Sequence, residues 1–331
     1  MTPKPLITHL YTADPSAHVF NKKLYIYPSH DRETDIAFND NGDQYDMHDY
    51  HVFSMDSPSG PVTDHGPVLS ATDVPWVSKQ MWAPDAATKN GQYYLYFPAR
   101  DKDGIFRIGA AVAPNPEGPF VPQASYIAGS YSIDPASFVD DDGTGYLYFG
   151  GLWGGQLQCW VEDGSGSGAL TFDASRAGPQ EPGGAGVRAL FPRVARLSDD
   201  MLSFEGGVRE LRILAPETGE PLAADDHERR FFEAAWMHKY KGTYYFSYST
   251  GDSHYLVYAT GASPFGPFTY RGRILEPVLG WTTHHSIVEF QGRWWLFYHD
   301  CELSGGVDHL RSVKMREIVY DDEGAIRLVE E

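Results

Sequence analysis

Three features of this 331-residue chain predict an all-β fold, a five-bladed β-propeller. The first is composition: 21 Tyr, 18 Phe and 8 Trp suit strands, while 34 Gly and 23 Pro punctuate turns. The second is a unit that returns five times, in which an acidic residue or histidine near small residues precedes a polar turn and an aromatic strand. The third is an outer turn reused in Asn115-Pro-Glu-Gly-Pro-Phe, Ser263-Pro-Phe-Gly-Pro-Phe and, more loosely, Ser57-Pro-Ser-Gly-Pro-Val. Units of about four strands repeated radially bury their faces against one another, which is the arrangement of a propeller.

Taken in order, the first unit runs Asp14-Pro-Ser-Ala-His-Val-Phe, turns at Asn21-Lys-Lys and continues Leu24-Tyr-Ile-Tyr. The second is Ala83-Pro-Asp-Ala-Ala-Thr, Lys89-Asn-Gly-Gln and Tyr93-Tyr-Leu-Tyr-Phe. The third is Ile133-Asp-Pro-Ala-Ser-Phe-Val, Asp140-Asp-Asp-Gly-Thr-Gly and Tyr146-Leu-Tyr-Phe. The fourth is Phe232-Glu-Ala-Ala-Trp-Met-His, Lys239-Tyr-Lys-Gly and Thr243-Tyr-Tyr-Phe-Ser-Tyr; the fifth is His284-His-Ser-Ile-Val-Glu-Phe, Gln291-Gly and Arg293-Trp-Trp-Leu-Phe-Tyr. Each reads as a β-hairpin, and further strands follow at Ile108-Gly-Ala-Ala-Val-Ala and Tyr255-Leu-Val-Tyr-Ala-Thr. The Gly-, Ser- and Pro-rich stretch 161–208 is expected to form long loops with one irregular strand. Ala325-Ile-Arg-Leu-Val reads as a last short strand. Residues 1–331 are thus expected to form a single propeller domain without an appended C-terminal β-sandwich.

Composition also restricts function. With 26 basic against 45 acidic residues, the formal charge of −19 argues against nucleic acid and anionic membrane as partners. No apolar run approaches the roughly 20 residues that span a bilayer. The two cysteines, Cys159 and Cys301, imply no disulfide framework. The N-terminal residues lack the apolar core of a signal peptide, so a cytoplasmic location is expected.

The chemistry is expected where the units begin. In a propeller, the residues opening the innermost strands converge at one end of a central channel. Here those positions carry Asp14, Asp85, Asp134, Glu233 and the pair His284-His285. Any single Asp in an Asp-Pro or Pro-Asp pair can serve only to cap a turn, and Asp85 is read as satisfying backbone amides. As a set, converging carboxylates in apolar strands point to a site. Glu233, within Arg230-Phe-Phe-Glu-Ala-Ala-Trp, has apolar neighbours that raise a carboxyl pKa and suit a general acid. Asp14 and Glu233 should face each other across the axis from non-adjacent blades, with Asp134 close enough to help keep Glu233 protonated. Paired carboxylates with aromatic surfaces suit glycoside hydrolysis.

The motifs Thr12-Ala-Asp-Pro-Ser-Ala-His-Val-Phe, Trp82-Ala-Pro-Asp-Ala, Ser132-Ile-Asp-Pro-Ala-Ser-Phe, Phe232-Glu-Ala-Ala-Trp and His284-His-Ser-Ile-Val, in this order, resemble glycoside hydrolase family 43. That resemblance covers nearly the whole chain and implies a five-bladed inverting enzyme acting on xylosides and arabinosides. It implies Asp14 as general base, Asp134 as pKa modulator and orienter, and Glu233 as general acid. It further implies calcium or another divalent cation in the central channel near His285, with His284 beside it as a ligand or substrate-facing residue. Arg311, in His309-Leu-Arg-Ser-Val-Lys, resembles an arginine that contacts substrate hydroxyls near the acid, and Trp82 resembles a sugar-facing aromatic.

Within the family, the motifs look closest to short β-xylosidases that release terminal xylose from xylo-oligosaccharides, with α-L-arabinofuranosides as additional substrates. Exo-action without a closing sandwich requires that loops such as 29–51 or 150–208, or a second subunit of a homo-oligomer, close one end. Endo-arabinanase action is the alternative within the family. A non-catalytic sugar-binding propeller is the alternative of another class, and a scaffold for protein partners a third, with no reason to align three acids.

Overall fold

Hairpin turns set the register of the fold. The computed structural model describes residues 3–281 and 283–329. Strands β1 (Tyr11–Phe20) and β2 (Lys23–Asp31) are joined by Asn21 and Lys22, both with positive φ, 51° and 66°. Two consecutive left-handed residues make the tight turn whose twist matches that of antiparallel strands. With β3 (Asp49–Met55) and β4 (Thr63–Ser70) they form an antiparallel sheet in the order β1-β2-β3-β4. The second sheet repeats the order with β5 (Asp85–Lys89), β6 (Gln92–Arg100), β7 (Phe106–Ala113) and β8 (Val121–Pro122), turning at Asn90-Gly91.

The third sheet starts with β9 (Ala136–Val139) and β10 (Gly145–Phe149), then departs from the simple repeat. A small separate hairpin, β11 (Trp160–Glu162) with β12 (Leu170–Phe172), precedes β13 (Arg193–Leu197) and β14 (Phe204–Glu210), which complete the sheet. The stretch 161–208 therefore holds more than the one irregular strand expected. It supplies most of that hairpin and the strands that pair outward from β10. Its Gly-Ser-Gly tip hides this, because the strands on either side are too short for their alternation to stand out. The fourth sheet comprises β16 (Glu233–Tyr240), β17 (Thr243–Ser249), β18 (Leu256–Gly261) and β19 (Phe268–Leu275). Short β15 (Ile213–Leu214) is added parallel to β19. The fifth holds β20 (His285–Phe290), β21 (Arg293–Asp300), β22 (Ser312–Tyr320) and β23 (Ile326–Leu328). Lys241-Gly242 and Gln291-Gly292 repeat the tight turn of the first unit.

These sheets are the five blades of a β-propeller, with β1, β5, β9, β16 and β20 innermost and successive blades in contact around the ring. The recurring outer turn joins the third and fourth strands of blades one, two and four, through bonds from the amides of Gly60, Gly118 and Gly266 to the carbonyls of Ser57, Asn115 and Ser263.

The aromatics account for the packing. Tyr27, Tyr50 and Phe97 are buried between blades one and two; Tyr245, Leu256 and Leu296 fill the space between four and five. Blades five and one meet over Ile26, Phe53, Phe297 and Val313, with Ile7 beneath them. Among the described residues, no strand crosses that last seam. It is tied by backbone bonds from Leu6 to Val313 and Thr12 to Arg311, and by the Ala17 amide donating to Ser286 Oγ at 3.0 Å.

Candidate active site

A kink at the head of three innermost strands re-aims the chain at each acidic position. Asp14 has φ 49° within a bulge of β1, and Asp134 has φ 56° just before β9. Ala234, next to Glu233, has φ 64° within a bulge of β16. Positive φ is unfavourable for residues other than glycine, and such outliers gather where a side chain must be aimed. All three carboxylates line one open cavity. The residues that the sequence separates most, Asp14 and Glu233, meet there from blades one and four, which are not neighbours in the ring.

Asp14 is 6% exposed and tightly held. Its Oδ1 lies 3.0 Å from Arg311 Nη1, while Ser29 Oγ donates to Oδ2 at 2.5 Å. Burial alone would push this carboxyl up. Together Arg311, His299, His284 and Ser29, in that order, outweigh burial, and the pKa is held down at about 2. The backbone amide of Asp14 donates to His299 Nδ1 at 2.9 Å, so Nδ1 acts as an acceptor and Nε2 is the ring nitrogen that carries a proton. His284 Nδ1 stands 3.8 Å from Asp14 and 3.9 Å from Asp134. Burial lowers His284 to about 4, so at neutral pH its ring is uncharged and Arg311 is the lasting countercharge of Asp14.

Asp134 is the buried neighbour of Glu233. Its Oδ2 accepts the amide of Ala234 at 2.8 Å, which fixes it beside Glu233. Burial, then the charges of Glu233 and Asp14, push its carboxyl well above the usual range. The repulsion is mutual, so Asp134 and Glu233 resist carrying two negative charges and together retain a proton. The burial that the sequence assigned to Glu233 thus falls on Asp134; Glu233 itself is half-buried on the cavity wall.

Arg311 is no surface residue. Its Nε and Nη2 each reach Asp31 at 2.8 Å, and its backbone amide donates to Asp31 Oδ2 at 2.8 Å. It serves the Asp14 side of the cavity. Trp82 also lines the cavity, its Nε1 donating to the Tyr45 carbonyl at 2.9 Å. Asp85 lies outside the cavity lining, bound to Ser16, His18 and Ser137, and so joins blades one, two and three near the axis. His285 is fully buried, with Nε2 2.6 Å from Ser247 Oγ and Nδ1 without a hydrogen-bond partner. A buried orphan nitrogen fits one ligand of a metal ion. Among the described residues, however, no cluster of three ligand side chains includes His285, so water would fill most of an oxygen-preferring ion's sphere.

A model of the family described as Glycosyl hydrolases family 43 matches residues 4–163 and 192–326. The chain belongs to this family. Family 43 relatives match almost end to end. Xylosidase/arabinosidase 43A of Humicola insolens is 76% identical over 324 residues, covering 97% of this chain and 98% of that protein. Xylosidase/arabinosidase of Bacteroides ovatus is 56% identical, covering 97% and 95%. Among solved structures, a family 43 β-xylosidase/α-arabinofuranosidase from a compost microbial metagenome, described as a calcium-free form in complex with xylotriose, superposes with a TM-score of 0.94. It is 58% identical and covers 99% of this chain and 97% of that one. This chain is a family 43 glycoside hydrolase.

Several members of this family 43 site escaped the sequence reading. Ser29 and Asp31 alternate toward one face of β2, and His299 stands near the end of the aromatic run of β21. A polar residue repeating at i and i+2 in a buried strand was the available signal. The loop residues Phe38, Gln44 and Tyr45 and the wall of Trp153, Phe232 and Trp281 had no periodicity to mark them, although loops 29–51 and 150–208 were expected to contribute.

Proposed function

We propose that this enzyme is an inverting exo-glycosidase that releases terminal xylose from β-1,4-xylo-oligosaccharides and also cleaves terminal α-L-arabinofuranosides. Asp14, held ionised by Arg311, takes the proton of a water attacking the anomeric carbon. Glu233 delivers its proton to the departing oxygen from the other side. Asp134 shares charge repulsion with Glu233 and fixes the neighbouring Ala234 amide, so it orients and tunes the acid. His284, neutral between Asp14 and Asp134, and Trp82 serve as sugar-facing groups. A divalent ion at His285 would supply fixed positive charge near the carboxylates. The names of the Humicola, Bacteroides and compost relatives support this substrate pair.

The observation that carries exo-action is the contact between two loops. An added Cβ on Gly154 would stand 2.7 Å from the carbonyl oxygen of Asn41, so loop 150–156 rests directly on loop 32–48. Loop 32–48 is itself pinned by Gln80 to the Gly42 carbonyl at 2.9 Å and by Lys79 to Asp43 at 3.0 Å. One end of the cavity is walled by this contact, which suits a chain end better than an internal segment.

The test is proton NMR of xylotriose and of arabinan during hydrolysis. Release of α-xylose first, one residue at a time, is the expected result. β-Xylose as first product would remove inversion, and internal cleavage of arabinan would remove exo-action. Glu233→Gln should reduce kcat on xylobiose about 10³-fold while retaining more activity on aryl xylosides with good leaving groups. Prior chelation, with activity followed as calcium is returned, tests the ion.

A further inference from the structure

Outside the catalytic cavity, blade one carries a cluster of His30, Asp49 and His51, whose ligand atoms all lie within 4.8 Å of one another. We propose that these three side chains form a second metal site, for a first-row divalent ion of the zinc, cobalt or nickel type.

Strand register builds the cluster. Ser29 of β2 pairs with Tyr50 of β3, which sets His30 opposite Asp49, and His51 shares the face of Asp49 two residues on. Asp49 Oδ1 is 2.6 Å from His30 Nδ1, and the rings of His30 and His51 have centroids 5.0 Å apart. All three are half-buried, so a ligand need displace little water. Asp64 of β4 lies outside the trio with Oδ1 3.4 Å from His51 Nδ1, and His9 holds its other oxygen at 2.8 Å. A carboxylate behind an imidazole fixes its tautomer and leaves the other ring nitrogen unprotonated, the arrangement that supports a metal-bound histidine.

The donor set chooses the ion. Two imidazoles and one carboxylate suit zinc-like ions, whereas calcium and magnesium prefer all-oxygen shells. Bonds of about 2.0–2.1 Å in a tetrahedron separate ligands by about 3.3 Å, so His30 and Asp49 would part by under an ångström as the shared proton leaves. The consequence reaches the active site through β2. Ser29 and Asp31, flanking His30, face inward and hold Asp14 and Arg311. An ion on the outer face of the strand would clamp the segment that positions the base on the inner face.

Titration of the chelator-stripped protein with Co²⁺, followed by its visible d–d absorption, tests the site without reference to catalysis. One equivalent should give the band of an imidazole-bound, low-coordinate ion, unchanged by saturating xylose. Zn²⁺ should displace it and raise Tm by about 3 °C. His51→Gln should weaken binding at least 100-fold, and Asp64→Asn at least 10-fold. Anomalous scattering from crystals of the unaltered protein grown with Zn²⁺ should place the ion between β2 and β3, which guards against variants that fail to fold. Absence of the band, a His51→Gln protein that binds like the original, or zinc located elsewhere would each overturn the proposal.

Discussion

The pairing of Asp14 with Arg311 decides how the site behaves with pH. Asp14 is lowered from 3.8 to about 2, so its contribution to stability is present above pH 3.8 and is lost as pH falls through about 2. The shift corresponds to about 2 kcal/mol. Arg311→Lys keeps the charge but not the fork that grips Asp31 and Asp14 together. We expect at least a tenfold loss of kcat and an acid limb of the rate profile moved up by about one pH unit, because Asp14 then protonates more readily. An unmoved limb would separate Arg311 from the base. Asp134→Asn works on the opposite limb: with the like charge gone, the acid releases its proton sooner and the alkaline limb moves to lower pH. That experiment distinguishes electrostatic tuning from mere orientation by Asp134, since orientation alone would change kcat without moving the limb.

Among elements, the loops that wall the cavity depend on close backbone approach. Gly42 has φ 70°, and a Cβ there would stand 2.7 Å from the indole of Trp82. Gly154 presses its backbone on Asn41. Gly154→Ala is therefore expected to part the two loops, cost about 1–3 kcal/mol and raise KM for xylobiose several-fold with a smaller change in kcat. Thermal unfolding and steady-state kinetics check both effects. This part of the molecule was the least legible in sequence. The inner hairpins announced themselves through aromatic runs and Asn-Gly or Lys-Gly turns, and the five polar heads through their recurrence. Loop 32–48 offered only length, and the partners of Asp14 in β2 and β21 became visible only once register set them beside it. Arg311 illustrates the limit: its place in the chain suggested a substrate contact, and it does line the cavity, but its direct bond to Asp14 and its grip on Asp31 became visible only in the fold.

For the whole molecule, the seam between the first and last blades is the distinctive feature. Among the described residues, propeller closure relies on side-chain packing, a few backbone bonds and the Arg311 bridge, with no shared strand. Local opening there should cost less than global unfolding. In a denaturant titration, activity is expected to decline before tryptophan fluorescence reports loss of the blades; coincident curves would show that the seam is as strong as the rest. Asp14 and Arg311 lie 297 positions apart in the chain, so they are made far apart in synthesis. A nascent chain that has completed four blades still lacks His284, His299 and Arg311 of the cavity, so removal of the fifth blade is expected to abolish hydrolysis although Asp14, Asp134 and Glu233 all remain. Hydrolytic competence is expected to arrive as a single event, when the fifth blade docks against the first.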